Sequence, residues 1–417
     1  MPDDVVAQAS GRASGVAQRL VCVTTSAALG GAETSLLTLL GALRAMEPSW
    51  QMTVVAPSDG PLLDKCRAAG IGAARVPYPR AIASLGESGL AREARGLSSR
   101  IRTVGQFASA AAVSWPYLQR LRRELRCRDA TIVHSNGIKA HVAATLARPR
   151  AARLVWHLHE YVQSRPSTVR LLRRLARRAS VLVVNSDSVA DDVRAAFGSS
   201  PPLRRIHNAV DTSVFCPEGP ALDLAQLAGL PNDTGLVRIG LVATFGRWKG
   251  HDVFLQAVAR LTGHRVRAYI IGGPVYQTAG SQWSFDELKA RAAQLGMGDL
   301  VGFTGHLADV PAALRALDIV VHASTNPEPF GMAIAEAMAA GRPVVAVRAG
   351  GSRELFEDGV DALGHRMGDV DDLARQLERL VAGPALRQSI GQAARLAALR
   401  RFSAVRMAVE FRQVYVG

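Results

Sequence analysis

Two glutamates with seven residues between them, Glu328 and Glu336, frame the stretch PEPFGMAIAEAMAAG at 327–341. Proline and glycine at its start, Gly341 and Pro343 at its end, and strong helix formers between them predict a helix from about Phe330 to Ala340. Apart from Glu336 that helix is apolar on every side, the pattern of a buried helix. A buried carboxylate is costly unless something hydrogen-bonds or neutralises it, so Glu336 requires a partner. The partner is either a neighbouring backbone group or arginine, or else the hydroxyl of a ligand.

Lys249 poses the complementary question. In GRWKGHD (246–252) it stands at the start of a helix, where the dipole disfavours a cation. A bound anion reverses that judgment. Phe330, Gly331 and Met332 open the apolar helix and offer backbone N–H groups to the same anion. Glu336, farther along, can accept hydrogen bonds from vicinal hydroxyls, and a diphosphate joined to ribose meets both requirements. Glu328 precedes the helix and faces the group on the other side of the diphosphate, which would be a sugar. Glycine-rich turns allow the close backbone approach such a ligand needs: Gly30 and Gly31 in SAALGGAETSLL, Gly272 in IIGGP (270–274), and the pair in AGGSREL (349–355).

In open α/β sheets such turns lie at the carboxyl ends of parallel strands. The chain has the matching pattern: apolar runs at 19–25, 52–56, 130–135, 153–159 and 180–186, then at 238–244, 265–273, 318–324 and 343–347, separated by segments of helical period. Two successive βαβ arrays follow, at 19–215 and 236–400, after a flexible tail at 1–18. Proline, glycine and acidic residues make 216–235 the linker. At 417 residues and 48% apolar composition the chain can fill two cores.

The formal charge is +15, and four of the 50 basic residues are lysine, leaving 46 arginines. Two amphipathic segments carry many of them, PYLQRLRRELRCR (116–128) and VRLLRRLARRA (169–179). They read either as solvated helix faces or as contacts for acidic lipid or a phosphorylated acceptor. No nucleic-acid-binding motif accompanies the charge, so nucleic acid is not an expected partner. Cys22, Cys66, Cys127 and Cys216 lack metal-ligand spacing and fit reduced thiols. With no apolar run of spanning length and no leader pattern, a cytoplasmic protein is expected, at the inner face of the membrane if the arginine faces touch lipid.

Over residues 20–416 the sequence resembles the GT-B fold glycosyltransferases of family 4, retaining enzymes that use nucleotide-diphosphate sugars. The resemblance is carried by Glu328-Pro329-Phe330-Gly331 with Glu336, supported by GGAE (30–33), NSDSVADD (185–192), NAVD (208–211), WKGHD, DIVVHAS and GGSRE with Glu354. It implies two Rossmann-like domains facing across a cleft and a C-terminal segment, 401–417, packing back on the first. It implies that Glu336 binds the donor ribose, that Glu328 lies beside the donor sugar, and that Lys249 grips the diphosphate with the amides of Phe330, Gly331 and Met332. Gly30 and Gly31 would border the phosphates from the first domain, with Gly272 on the donor side.

His157 matches the family's cleft histidine, and His159, two residues on, competes for that role; alternation places both on one strand face. Asn136, Lys139, His159 and Glu160 are the candidates on the acceptor side. The family's arginine five residues before the lysine is Thr244 here, and Arg247 is expected to supply the charge. Ala209 and Ala362 stand where the family often has glycine. A UDP-sugar is the first expectation for the donor and a GDP-sugar the second, with a glycan, lipid-linked or small natural-product acceptor and neither metal nor cofactor. The alternatives are a catalytically silent nucleotide-sugar binder, a nucleotide-sugar epimerase, and an arginine-driven membrane or nucleic-acid module.

Overall fold

The computed structural model describes residues 17–79, 114–164, 166–199, 201–233, 235–261, 263–275 and 280–417. All but the last two residues of the expected 1–18 tail lie outside that set. Seven strands form the first sheet: β1 (Arg19–Thr24), β2 (Gln51–Ala56), β3 (Gly72–Arg75), β4 (Ile132–Asn136), β5 (Arg153–Leu158), β6 (Val181–Val184) and β7 (Leu203–Arg205). Six form the second: β8 (Val237–Val242), β9 (Val266–Ile271), β10 (Val301–Gly305), β11 (Ile319–His322), β12 (Val344–Val347) and β13 (Leu363–His365). The orders are β3-β2-β1-β4-β5-β6-β7 and β10-β9-β8-β11-β12-β13, and every pairing is parallel. This is the α/β fold with two Rossmann-like units that the apolar runs predict.

Both faces of each sheet are covered by helices, which is why the strands read as continuous apolar runs. In the first sheet Val21, Val23, Val133 and Trp156 enter one core, while Leu20, Cys22, Val54 and Val155 enter the other. The helices that matter below are α1 (Gly31–Met46), α2 (Pro166–Ala176), α3 (Asp187–Phe197), α4 (His251–Ala259), α5 (Met332–Ala339), α6 (Pro384–Arg401) and α7 (Ala404–Val416). The segment 216–235 is more than a tether: it holds a helical turn at Leu224–Leu227, buries Leu224 and Ala225, and donates Leu222 N–H to Ala312 O at 3.2 Å. It is fastened to the second unit.

The C-terminal segment returns as expected. Ser403 caps α7 by accepting the Arg406 amide at 3.3 Å, and Met407, Phe411 and Tyr415 pack with Leu36, Leu39 and Leu40 of α1 in the first unit's core. Each sheet reverses strand order once, between β1 and β4 and between β8 and β11. Crevices at such reversals are where α/β sheets take ligands. The loops leaving β8 and β11 carry Lys249 and Glu328.

Besides His207, the first unit holds four histidines, His134, His141, His157 and His159. His134 and His141 are buried and engaged, His134 Nδ1 lying 2.8 Å from the Tyr415 hydroxyl and His141 Nδ1 2.8 Å from Ser135 Oγ. Burial holds both far below the usual histidine range, His134 at about 3, and does the same for His157 and His159. The unfolded chain therefore binds protons below about pH 6.5 that the native state refuses, so these groups make stability fall as pH drops, by roughly 1.4 kcal/mol per unit for each. Glu336, whose carboxyl burial pushes up to about 7, offsets one such group between pH 7 and 4.5. His157→Leu should lessen the slope of unfolding free energy against pH by about one proton between pH 6 and 5. Urea titrations at stepped pH measure this, and an unchanged slope would mean that His157 is protonated in the native state.

Candidate functional site

Lys249 ends a 3₁₀ turn, Arg247–Lys249, and Gly250 links that turn to α4 in the left-handed region at φ +76°. A Cβ on Gly250 would stand 1.8 Å from the Ala323 carbonyl oxygen. The absent side chain thus lets the β8 loop lie directly on the end of β11. Across that contact Lys249 Nζ donates to Glu328 Oε1 at 2.7 Å. The same oxygen accepts the Ser324 hydroxyl and lies 3.3 Å from His322 Nε2. Burial by itself would push the Glu328 carboxyl up, but the His322 and Lys249 charges and hydrogen bonds outweigh it and hold the group well below the usual carboxylate range. Among the described residues no partner is recorded on Oε2, which leaves one acceptor oxygen for a ligand.

The apolar helix begins two residues later than expected. Gly331 caps α5 at φ +109°, a backbone state that suits glycine, and Phe330 is buried beside His207 and Phe402 at centroid distances of 5.7 and 6.0 Å. Among the described residues no acceptor is recorded for the amides of Gly331, Met332 or Ala333. Those amides carry the positive end of the α5 dipole. Glu336 sits one turn along, only partly exposed between buried Ala335 and Ala337, with no hydrogen bond or ion pair recorded to its carboxylate among the described residues. Burial alone pushes it up to about 7. The backbone-or-arginine alternative for its partner is therefore not realised.

The other expected donor residues divide. Gly31 faces α5 across the cleft, a Cβ there falling 3.3 Å from Met332 Cγ, and the Gly30 amide donates to Glu33 Oε2 at 3.2 Å. Gly272 has a packing reason: a Cβ would stand 1.9 Å from the Ala243 carbonyl oxygen. Arg247 does not replace the charge missing at Thr244. It donates to Glu287 Oε1 at 2.9 Å and lies over the Trp283 ring at 4.1 Å, while the Thr244 hydroxyl is buried with no partner recorded among the described residues. A carboxylate and an indole from a distant segment have drawn it aside.

On the first unit, His157 is wholly buried, its ring 4.9 Å from Phe411 and 5.3 Å from His134. The structure therefore corrects its placement at the cleft: α7 covers it. His159 lies just beyond the end of β5, partly exposed, its ring 3.9 Å from that of His157. Asn136 ends β4 and donates to Ala32 O at 3.4 Å; Lys139, at the start of the next helix, lies 5.9 Å over the Tyr78 ring; Glu160 follows His159 and is half-buried. All four stand along the carboxyl edge of the first sheet. Sequence reasoning assigned no role to His322 and Ser324, although strand alternation in DIVVHAS puts both on one face, and it did not single out Tyr161.

Residues 29–214 match the family model described as Glycosyltransferase Family 4, and residues 228–397 match Glycosyl transferases group 1. Proteins named D-inositol 3-phosphate glycosyltransferase in Mycobacterium bovis and Mycobacterium tuberculosis are 35% identical over 233 residues, 54% of this chain and 46% of theirs. The chain thus spans about half the length of the curated relatives it matches. Among solved structures, Anabaena HepE in complex with UDP aligns with a TM-score of 0.77 at 24% identity over 95% of this chain and 99% of that one. A Rickettsia africae glycosyltransferase aligns at 0.76 and 16% identity over 96% and 98%. At these identities the likeness is one of fold.

Because Lys249 and Glu328 neutralise each other in a largely enclosed place, removing one strands the other. Lys249→Met should lower the unfolding free energy by about 1–3 kcal/mol, and the double variant with Glu328→Gln should cost less than the two singles summed. Denaturant unfolding of the four proteins checks this, and strict additivity would show that the pair is not coupled.

Proposed function

The chain belongs to the glycosyltransferases, in the two-domain GT-B form of the family 4 and group 1 models, and we propose that it moves a sugar from a nucleotide diphosphate to an acceptor hydroxyl with retention at the anomeric carbon. The observation that carries this reading is Glu336: a carboxylate with no recorded protein partner, one turn behind the amides that open α5. Ribose hydroxyls on Glu336 leave the diphosphate against those amides and Lys249, and the sugar beside Oε2 of Glu328. In transfer the bond from the anomeric carbon to the phosphate oxygen breaks as the acceptor oxygen bonds to that carbon from the same face. The acceptor proton passes to the departing phosphate oxygen. Lys249 and the start of α5 stabilise the charge that develops there, so the reaction needs neither metal nor cofactor. His159 takes the cleft role first assigned to His157, with Asn136, Lys139 and Glu160 on the acceptor side.

The epimerase alternative falls away, since both halves match glycosyltransferase models and the curated relatives are glycosyltransferases. A UDP-sugar remains the first donor to test, given the UDP complex of the HepE neighbour, and a GDP-sugar the second. For the acceptor, α2 buries Leu172 and Leu175 while exposing Arg170, Arg173 and Arg174, with Arg177 and Arg178 exposed just beyond. That surface supports an acceptor bearing negative charge, either a phosphorylated polyol of the kind the relatives' name specifies or a lipid-linked glycan at an anionic membrane. Among the described residues no helix is long and apolar enough to cross a membrane.

UDP or GDP at about 100 times its dissociation constant should stabilise the fold by roughly 2.7 kcal/mol in a thermal melt. Glu336→Ala should chiefly weaken that binding, whereas Glu328→Ala and Lys249→Ala should depress turnover. Binding of hydroxyls favours the ionised Glu336, so the winning nucleotide should release up to one proton below pH 7 and bind more weakly as pH falls. Calorimetry in two buffers of different ionisation enthalpy reads the release; none at pH 6.5 would take Glu336 out of the ribose site. Binding without transfer to any acceptor would favour the silent binder.

A further inference from the structure

Two motifs stand outside the donor site, NSDSVADD (185–192) in the first unit and GGSRE (350–354) in the second, and the fold brings them together. Glu354 Oε2 accepts the Asp187 amide at 2.7 Å and Oε1 the Ser188 amide at 2.8 Å, so a carboxylate of one unit caps α3 of the other. His207 Nε2 lies 3.4 Å from the same carboxylate. Beside this contact the Tyr161 hydroxyl, on the loop that follows β5, donates to the main-chain carbonyl of Glu328 at 3.0 Å. That carbonyl also accepts the Gly351 amide at 2.8 Å, and Ser188 Oγ lies 2.9 Å from the Tyr161 oxygen. Asp192 Oδ2 accepts the Val162 amide at 2.6 Å and so anchors the loop bearing Tyr161. There is no slack: a Cβ on Gly350 would stand 2.7 Å from the Glu328 carbonyl oxygen and 2.8 Å from the Tyr161 oxygen.

We propose that Tyr161 is a positioning residue for the transfer step, holding the backbone of Glu328 from across the cleft, and that Glu354 latches the two units in the closed arrangement in which it does so. This rests on the reading of Glu328 as the residue beside the donor sugar. The Glu328 side chain is held by Lys249, Ser324 and His322, all from its own unit, whereas its main-chain carbonyl is shared between the Gly351 amide of its own unit and the Tyr161 hydroxyl of the opposite one. The first unit thereby reports closure to the donor sugar without touching it. When the cleft opens, the first amides of α3 return to water and the Glu328 carbonyl loses the tyrosine. The side chains proposed to bind the nucleotide, Lys249 and Glu336, and the start of α5 all belong to the second unit, with only the backbone of Gly30 and Gly31 reaching from the first, so nucleotide affinity should change little when the clasp is weakened. A Glu328 that lacks the tyrosine contact in the open form, though still held by its own unit, would also limit attack by water on a donor that has no acceptor beside it.

The test uses the full chain with Tyr161→Phe, Glu354→Gln and the double variant. Calorimetry measures UDP or GDP affinity, steady-state assays separate kcat from KM for the nucleotide sugar, and hydrogen exchange follows the amides of Asp187 and Ser188. The expected result is nucleotide affinity within twofold of the parent, kcat lowered at least tenfold in each single variant with little change in donor KM, and a double variant worse by less than the product of the singles. Exchange at Asp187 and Ser188 should quicken in Glu354→Gln. An unchanged kcat in Tyr161→Phe, or a fall matched by an equal rise in donor KM, would overturn the positioning role. If the parent transfers no sugar at all, the functional reading fails while the exchange experiment still decides the latch: unaltered exchange in Glu354→Gln refutes it. Should Glu354→Gln not fold, Tyr161→Phe, which removes one oxygen, carries the test alone.

Discussion

The ion pair of Lys249 with Glu328 is the interaction on which the second unit's site depends. A carboxylate so enclosed would surrender its charge unless a cation stood against it, and the cation would be as costly alone. Each therefore licenses the burial of the other, and both must be delivered to one place by loops leaving different strands. The order reversal between β8 and β11 makes those loops neighbours, and Gly250 closes the last gap by letting one backbone lie on the other. Ser324 and His322 then turn the carboxylate so that one oxygen takes every recorded internal contact and the second is left over. An anion that drew on Lys249 would have to share it with Glu328, so any such binding would be coupled to the state of that carboxylate.

A second charge is stranded on purpose. Among the described residues Glu336 has no recorded counterion, and burial alone shifts it. In a helix lined by Ile334, Ala335, Ala337 and Met338 a leucine would pack without that cost. Retaining an acid there destabilises the fold, which is the usual arrangement where binding rather than packing determines a residue. The two glutamates thus occupy opposite electrostatic conditions with seven residues between them: one is satisfied by its own protein, and the other has no recorded partner among the described residues.

Much of this was legible in the sequence because charge in an apolar setting needs explanation. Glu328, Glu336 and Lys249 were visible for that reason, and nine strands were visible as apolar runs. The four strands that were not, β3, β7, β10 and β13, are the edges of the two sheets. GAAR, LRR, VGFTG and LGH are too short, or too open at the sheet edge, to carry an apolar period that registers, LGH being hidden by its length alone since all three residues are buried. The misplaced side chains share another cause. Arg247 was judged by its nearness to Thr244 in the chain, whereas Glu287 and Trp283, far along the sequence, decide where it points. Between His157 and His159 alternation cannot choose, and the element that does choose is α7, some 250 residues later, whose Phe411 covers one ring and leaves the other at the strand's end.

The two places where the units meet differ in kind, and the difference bears on how the molecule moves. The chain crosses between units twice, and the crossings lie side by side: the Val210 amide donates to Phe402 O at 2.9 Å, with Val210 bridged to Ser403. From there α7 buries Met407, Phe411 and Tyr415 in the first unit, an apolar join that water cannot replace. The clasp at the cleft is made of a carboxylate, two amides, an imidazole and a phenol, every one of which water can satisfy when the contact parts. Water can replace those polar contacts, whereas it cannot replace the apolar packing of α7. The two joins thus differ in chemistry, the paired crossings with α7 being apolar and the clasp polar, with Tyr161 and the Glu328 carbonyl at the polar one. On the transfer reading proposed above the site would have to admit two substrates and then exclude water, and an apolar join on one side with a polar contact at the cleft suits both without unfolding either sheet.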